Sequence, residues 1–418
     1  MLSFFQTETV QVGSPIELAR FHERLVIVSH VVHYRSAERL FAYAPYAREI
    51  EIWADMFDEV VIAAPCREQD PPGDCARFNP ENVRVVPQRE LGGETWLAKI
   101  RLVCSVPAMV WDLCRALRQG DAVHVRCPGN LGLLGAVLAP LFSNHLVAKY
   151  AGQWNATPND PWSLRFQRMV LRSRWWRGLV TVYGRWPNQP AHIVPFFNSA
   201  LTREQIKRAR AAAQNRKPHE LTHVLFVGRL SRAKNIDVLL KALARLHAEG
   251  ISFTATIAGE GPELGALKRL STELGLNDSV EFTGGVSFDC VNELLERSGV
   301  LVLASDTEGW PKAIVEAMTF GLIAIGSQVG LVPEILGEGR GLTVPPGDVN
   351  ALTTTLRKVL SAPGEFGAMR ERAAAWAGHY SIESLRDCLQ LLLAERWGLQ
   401  LKDKAQSKPL ASAVCVHE

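Results

Sequence analysis

Along this 418-residue chain, short apolar runs alternate with stretches whose apolar positions recur at helical spacing. After residue 222 the runs THVLFVG, FTATIAG, SVEFTG, VLVLAS and LIAIG read as strands. The segments Ile236 to Ala248, Pro262 to Leu274, Asp289 to Arg297, Ala313 to Phe320 and Asp348 to Leu360 read as helices. The first of them carries Ile236, Leu239, Leu240, Leu243 and Leu246 on one stripe and stops at Gly250. A βαβ series of this kind predicts a parallel sheet covered by helices, with ligands held beyond the carboxyl ends of the strands. Before residue 217 the runs LVIVSH, EVVIAAP, VRVVP, AVHVRC, HLVAKY and GLVTVY predict a second domain of the same α/β class. The polar, basic stretch from Gln214 to His219, broken by Pro218, reads as the linker. Ser381 to Trp397 forms a last long helical pattern, and residues 401–418 are polar and aperiodic, as in a loose tail.

The chemistry-bearing residues cluster in the later half. In EGWPKAIVE, Glu308 lies in a loop, Pro311 fits the first position of a helix, and Glu316 lies more than a turn inside it. Helical side chains lean toward the N-terminus, so both carboxylates can address one pocket. Trp310, at the expected cap position, has no side-chain oxygen for the first-turn amides, which stay available to a hydroxylated or anionic ligand. At the end of the first strand, GRLSRAKN places Arg229 after Gly228 and Lys234 just before a helix, with Asn235 as N-cap. Two cations and a helix N-terminus favour a diphosphate, although taken alone they also read as solvated loop charges. Loops after different strands of a doubly wound sheet converge, which can unite the two groups.

With VGRLSRAKN, IAGEGPEL, FTGGV, ASDTEGWPKAIVEAMTFG, VGLVPEIL and GRGLTVPPGD in order, Gly228 to Pro363 resembles the nucleotide-binding domain of the retaining glycosyltransferases of family 4. The resemblance implies the GT-B fold, two facing Rossmann-like domains with a donor cleft between them. It implies an acceptor-binding domain over residues 1–217, a nucleotide-sugar domain over 218–378, and a C-terminal helix, 379–400, returning to the first domain. It further implies that Arg229 and Lys234 hold the donor diphosphate and Glu316 the ribose, while Glu308 with the amides near Gly309 holds the transferred sugar. The backbone around Gly285 and Val286 would lie near the nucleobase. Where the family often has glycine this chain has Pro311, which removes one backbone donor; Lys312 can replace it or simply be a solvated helix residue.

Composition narrows the class. Hydrophobic residues make up 47% and charged residues 21%, as in globular proteins, and no run approaches the roughly 18–20 apolar residues that span a bilayer. The N-terminus has neither a basic region nor a long apolar core, so no secretory signal is expected and the chain reads as cytoplasmic. Eight scattered cysteines without a CxxC pair point to reduced thiols, with no structural metal. Residues 1–217 hold 27 Lys+Arg against 19 Asp+Glu, and much of that excess falls in PWSLRFQRMVLRSRWWRG. There Trp162, Phe166, Met169 and Trp176 can share one side of a helix and Arg165, Arg168, Arg172 and Arg174 the rest, so residues 162–178 fit either an anionic membrane surface or an ordinary helix packed on the sheet. Nucleic acid is not expected at a net charge of only +3.

The first domain departs from the family: the Gly-rich turn and the His near the reacting sugar are replaced by SHVVHYRSAE and AKYAGQWN. His30 and His33 have a weak HxxH spacing without a third ligand, and His33 is carried as an acceptor-side candidate together with Tyr150, Gln153 and Trp154, where Trp154 either stacks on a sugar or packs in the core. The expected activity is retaining, metal-independent transfer of a sugar from a nucleotide diphosphate sugar to a glycan or lipid-linked acceptor, in surface-polysaccharide or lipid-linked oligosaccharide assembly at the inner membrane face. No cofactor is expected. The alternative is a non-catalytic sugar-nucleotide binding or scaffold protein of the same fold. A dinucleotide oxidoreductase needs GxGxxG after a strand, which is not found in place.

Overall fold

The computed structural model of the chain describes residues 21–90, 96–155, 160–215 and 221–398. They divide into two compact units, one formed by the residues up to Pro71, Cys75–Phe197 and those from Arg386 onward, the other by Pro72–Asp74 and Asn198–Leu385.

The first unit is built on seven parallel strands: β1 (Phe21–Val28), β2 (Phe57–Ala64), β3 (Val83–Pro87), β4 (Ala122–Cys127), β5 (His145–Tyr150), β6 (Leu179–Tyr183) and β7 (Ile193–Phe196). Their order is β7-β6-β5-β4-β1-β2-β3. Strand alternation sends Val123, Val125, Leu146 and Ala148 into one core layer with Leu113, Leu131 and Leu171. A separate four-stranded sheet pairs His33–Ser36, Arg39–Tyr43, Cys66–Glu68 and Cys75–Arg77. The second unit has six parallel strands, β8 (His223–Val227), β9 (Thr254–Ala258), β10 (Val280–Gly284), β11 (Val300–Leu303), β12 (Ile323–Ser327) and β13 (Leu342–Val344), in the order β10-β9-β8-β11-β12-β13. The helix Ile236–Ala248 buries Leu239, Leu240, Leu243 and Leu246, the stripe read from the sequence.

The unit boundary falls at Phe197/Asn198 rather than at residue 217. The helix Arg203–Gln214 belongs to the second unit: a capping box between Thr202 and Gln205 starts it, and Ile206 and Ala209 are buried. The chain ahead of it is stitched to the end of the same unit, where Ser199 Oγ donates to the Tyr380 carbonyl at 2.7 Å and the Ile382 amide to the Leu201 carbonyl at 2.9 Å. Of the expected linker, residues 216–219 lie outside the described residues, as does the tail 401–418. The helix Ile382–Trp397 starts in the second unit and ends in the first, where Trp397 stacks on His145 with ring centroids 5.0 Å apart.

Two imidazoles are sealed in the first unit. His124 stacks on Trp53 at 4.4 Å, neither ring nitrogen has a hydrogen-bond partner among the described residues, and burial pushes its pKa down to about 3. His33, lowered to about 4 by burial, packs against Phe78 and Tyr46. In the unfolded chain both titrate near 6.5, so their neutral burial is harmless above that pH and destabilises the fold as pH falls from about 6.5 toward the folded values. Denaturant melts against pH should therefore show an acid-side slope that His124→Phe reduces by one proton, on the order of 3 kcal/mol between pH 6.5 and 4, with little change at pH 7.5.

Candidate functional site

The second sheet reverses its strand order between β8 and β11, which lie side by side with Val224 opposite Val300 and Leu225 opposite Leu301. The loops leaving their carboxyl ends are GRLSRAKN and SDTEGWPK, so the topology brings the two sequence clusters to one switch point. The Lys234 ammonium donates to Glu308 Oε1 at 2.5 Å, with Lys234 24% and Glu308 9% exposed. That contact uses one of three ammonium donors and one of two carboxylate oxygens, and both groups keep capacity for a ligand.

Backbone contacts hold the loops together. The Asp306 amide donates to the Ala233 carbonyl at 2.8 Å. Asn235 takes the cap position of its helix in a left-handed conformation, φ 49°, but makes no side-chain cap. Its amide instead donates across the switch point to the Ala304 carbonyl at 3.0 Å and Asp306 Oδ1 at 2.6 Å. Arg229 is exposed beside the fully buried Leu230, whose amide donates to the Glu260 carbonyl. Gly285 donates its amide to Glu260 Oε1 at 3.0 Å, which fixes the turn ahead of the partly buried Val286.

The helix after Glu308 spans Lys312–Thr319, and Pro311 is its N-cap rather than its first residue. The Pro311 carbonyl accepts from the Ile314 amide, while Lys312 donates back to the Trp310 carbonyl. Pro311 supplies no side-chain cap to this end. Trp310 is buried against Trp376 and Tyr380, with centroids 6.5 and 5.2 Å away, and so anchors the loop from below. Glu316 and Lys312, one turn apart, line a narrow cleft of about 10 Å³ with Trp310, Thr319, Tyr380 and the segment 198–201. Glu308 does not line that cleft; its carboxylate turns to Lys234, and the partly buried Gly309 separates it from Trp310. The two glutamates thus serve two adjoining environments, where the sequence reading put them in one.

On the acceptor side three candidates are corrected. His33, Tyr150 and Trp154 are each at most 1% exposed, so they pack the first unit's interior instead of meeting an acceptor. The Tyr150 hydroxyl accepts from Arg168, and Trp154 Nε1 donates to Gln189 at 3.1 Å. Gln153 is partly exposed. The sequence reading passed over a buried cluster near the strand ends of the first sheet. Glu49 accepts from Arg126 at 2.8 Å and from Lys149 at 2.9 Å. Burial opposes ionisation of Glu49, but the two cations outweigh it and hold its carboxyl well below the usual range. A lone cation near the end of each apolar run, AVHVRC and HLVAKY, was the available signal. A pocket of about 560 Å³ around Asp121, Ser143 and His145 opens at the amino ends of β4 and β5, the wrong end for a ligand of this fold.

Residues 207–376 match the family described as Glycosyl transferases group 1. Over that span the chain is similar to the group 1 glycosyl transferases. The chain is 30% identical over 168 residues to the Alpha-D-kanosaminyltransferase of Streptomyces kanamyceticus, covering 40% of this chain and 44% of that protein. It is 31% identical over 140 residues to the putative colanic acid biosynthesis glycosyltransferase WcaL of Salmonella typhimurium, covering 32% of this chain and 34% of that one. The chain thus spans less than half the length of these relatives. Among solved structures it resembles sucrose-phosphate synthase from Thermosynechococcus elongatus, with TM-score 0.69, 18% identity, and coverage of 91% of this chain and 100% of that one. It also resembles Anabaena HepE in complex with UDP-glucose, with TM-score 0.65, 17% identity, and coverage of 90% and 100%. Both likenesses show the fold, the GT-B pair of Rossmann-like domains that the group 1 motifs imply.

In the second unit Gly330, at φ 53°, lies against the Glu308 loop, and a Cβ there would sit 2.0 Å from the Glu308 carbonyl oxygen. Gly347, at φ 72°, has nothing within 4 Å. Chemical denaturation should find Gly347→Ala costing about 1 kcal/mol, the backbone term alone, and Gly330→Ala about 2–4 kcal/mol, because the glutamate loop must shift as well.

Proposed function

We propose that this protein transfers a glycosyl group from a nucleotide diphosphate sugar to an acceptor hydroxyl, with retention of configuration and without a metal ion, in surface-polysaccharide or lipid-linked oligosaccharide assembly at the cytoplasmic face of the membrane. The observation that carries the reading is the Lys234–Glu308 contact across the switch point, with Arg229 on the same loop as Lys234. A cation pair and a carboxylate at one crevice match the two halves of such a donor, anionic diphosphate and hydroxyl-bearing sugar. In the reaction the bond between the anomeric carbon and the diphosphate oxygen breaks, the acceptor oxygen bonds to that carbon on the same face, and the acceptor proton passes to the leaving diphosphate. Arg229, Lys234 and the N-terminal amides of the Lys312–Thr319 helix would stabilise the leaving charge, supplying by side chain and backbone what a metal supplies elsewhere. Glu316, one turn from Lys312 on the same helix, would hold the ribose. The colanic-acid name of one relative and the UDP-glucose bound to HepE support the acceptor class and make UDP-sugars the first donors to try.

A thermal-shift screen of UDP-, GDP- and ADP-sugars identifies the base, and calorimetry then tests the residues. Arg229→Ala, Lys234→Ala and Glu316→Ala should each weaken donor binding by about 10- to 100-fold, the value of a charge-assisted hydrogen bond. Unchanged affinity in all three would remove the donor-site assignment. Nucleotide release that depends on added lipid or glycan acceptor, and persists in chelator, supports the metal-independent enzyme; tight binding without release supports the scaffold alternative.

A further inference from the structure

The helix Trp162–Arg172 leaves an apolar stripe in water. Its buried residues are Gln167, Arg168, Val170 and Leu171, while Trp162, Phe166 and Met169, one stripe at four- and three-residue spacing, are 76%, 38% and 57% exposed. Trp162 and Phe166 lie 6.5 Å apart by ring centroid. Exposed apolar residues continue beyond the helix: Trp175 reaches across to donate its indole N–H to the Val137 carbonyl at 3.0 Å, and Leu141 follows nearby, where Arg177 donates to the Pro140 carbonyl. Trp176, which the sequence pattern put on the same side as Trp162, is buried instead. A run of tryptophan, phenylalanine, methionine and leucine left in water while a glutamine and an arginine are buried beneath it marks a surface that something covers.

Charge identifies the cover. Between Asp121 and Glu204 the sequence holds a single carboxylate, Asp160, and Asp160 is engaged by the buried Arg168. Around the apolar stripe stand the exposed Arg165, Arg172, Arg174 and Arg177. We propose that this face docks the first unit onto an anionic phospholipid bilayer, its apolar side chains entering the headgroup region and its arginines meeting lipid phosphates. Among the described residues no helix is long and apolar enough to cross a membrane, so the proposed attachment is interfacial. The inference stands apart from sugar transfer and is tested without turnover.

The full chain is mixed with vesicles of phosphatidylcholine alone or with phosphatidylglycerol added, at low and high salt, and the bound fraction is read by flotation. Binding is expected to anionic vesicles and to fall with salt. Trp162→Ser/Phe166→Ser/Met169→Ser should lower the partition coefficient at least tenfold with melting temperature unchanged or raised, since the substitutions remove exposed apolar surface. Arg165→Gln/Arg174→Gln should lower it about 30-fold and flatten the salt dependence. Equal affinity for neutral and anionic vesicles, no vesicle binding, or a self-association in light scattering that the serine variant abolishes while vesicles stay unbound would each overturn the proposal. The last outcome would assign the face to a second copy.

Discussion

Everything proposed for the second unit depends on a topological constraint: adjacent parallel strands whose connections leave in opposite directions. Because β8 pairs with β9 on one side and β11 on the other, the loops after β8 and β11 emerge together with no helix between them. Residues 74 positions apart then meet at hydrogen-bond distance, as Lys234 and Glu308 do. The backbone is drawn in tightly enough to exclude side chains. A Cβ at Gly259 would lie 1.9 Å from the Gly228 carbonyl oxygen, just as one at Gly330 would strike Glu308. Close backbone approach fixes where Arg229 and Glu308 begin, so that their orientation costs little when a ligand arrives.

The first unit obeys the same rule with different chemistry. Its order also reverses at its first strand, between β1 and β4, and a charged cluster forms near the strand ends there. Arg126 and Lys149 share one carboxylate, Glu49, on the sheet face covered by the helix Ala44–Met56. Two buried cations on one anion are tolerated only while that anion stays ionised, which accounts for the depressed Glu49 carboxyl and for a Lys149 amine lowered by burial and by neighbouring Arg126. One fold thus carries an ion pair with a partly exposed lysine in one unit and a sealed network in the other; the architecture places charges, and the residues decide what they do.

How much of this was legible beforehand follows from the period of each signal. The strands VRVVP, AVHVRC and HLVAKY and the helix Ile236–Ala248 coincide with the structure, because a buried parallel strand is a continuous apolar run and a covering helix has a clear stripe. The edge strand β7, IVPF, carries Pro195, which masks it, and β13 has only three residues. The boundary at Asn198 was hidden because a capped helix, Arg203–Gln214, looks the same whichever unit it packs on. The donor-side cations and carboxylates were legible as local clusters, and only topology joined them. Tyr150 and Trp154 follow an apolar strand and have polar tips, and nothing in a linear pattern says whether such residues turn inward; Arg168 and Gln189, far along the chain, supply the partners that let them.

The helix Trp162–Arg172 shows why face assignment is the hardest step. Periodicity separates an apolar side from a basic side, and the usual inference buries the apolar one. Here the interior beneath the helix is already supplied with polar groups: Gln167 meets the Cys127 sulfur, and Arg168 meets Tyr150 and Asp160. A guanidinium buried at that position is stable only with its carboxylate and hydroxyl in place, and satisfying it rotates Trp162, Phe166 and Met169 outward. The outward apolar face is therefore a consequence of a buried ion pair, and the near absence of acids in the surrounding sequence leaves it positive as well as greasy. Those two properties together, each imposed by a different part of the chain, are what a lipid surface selects.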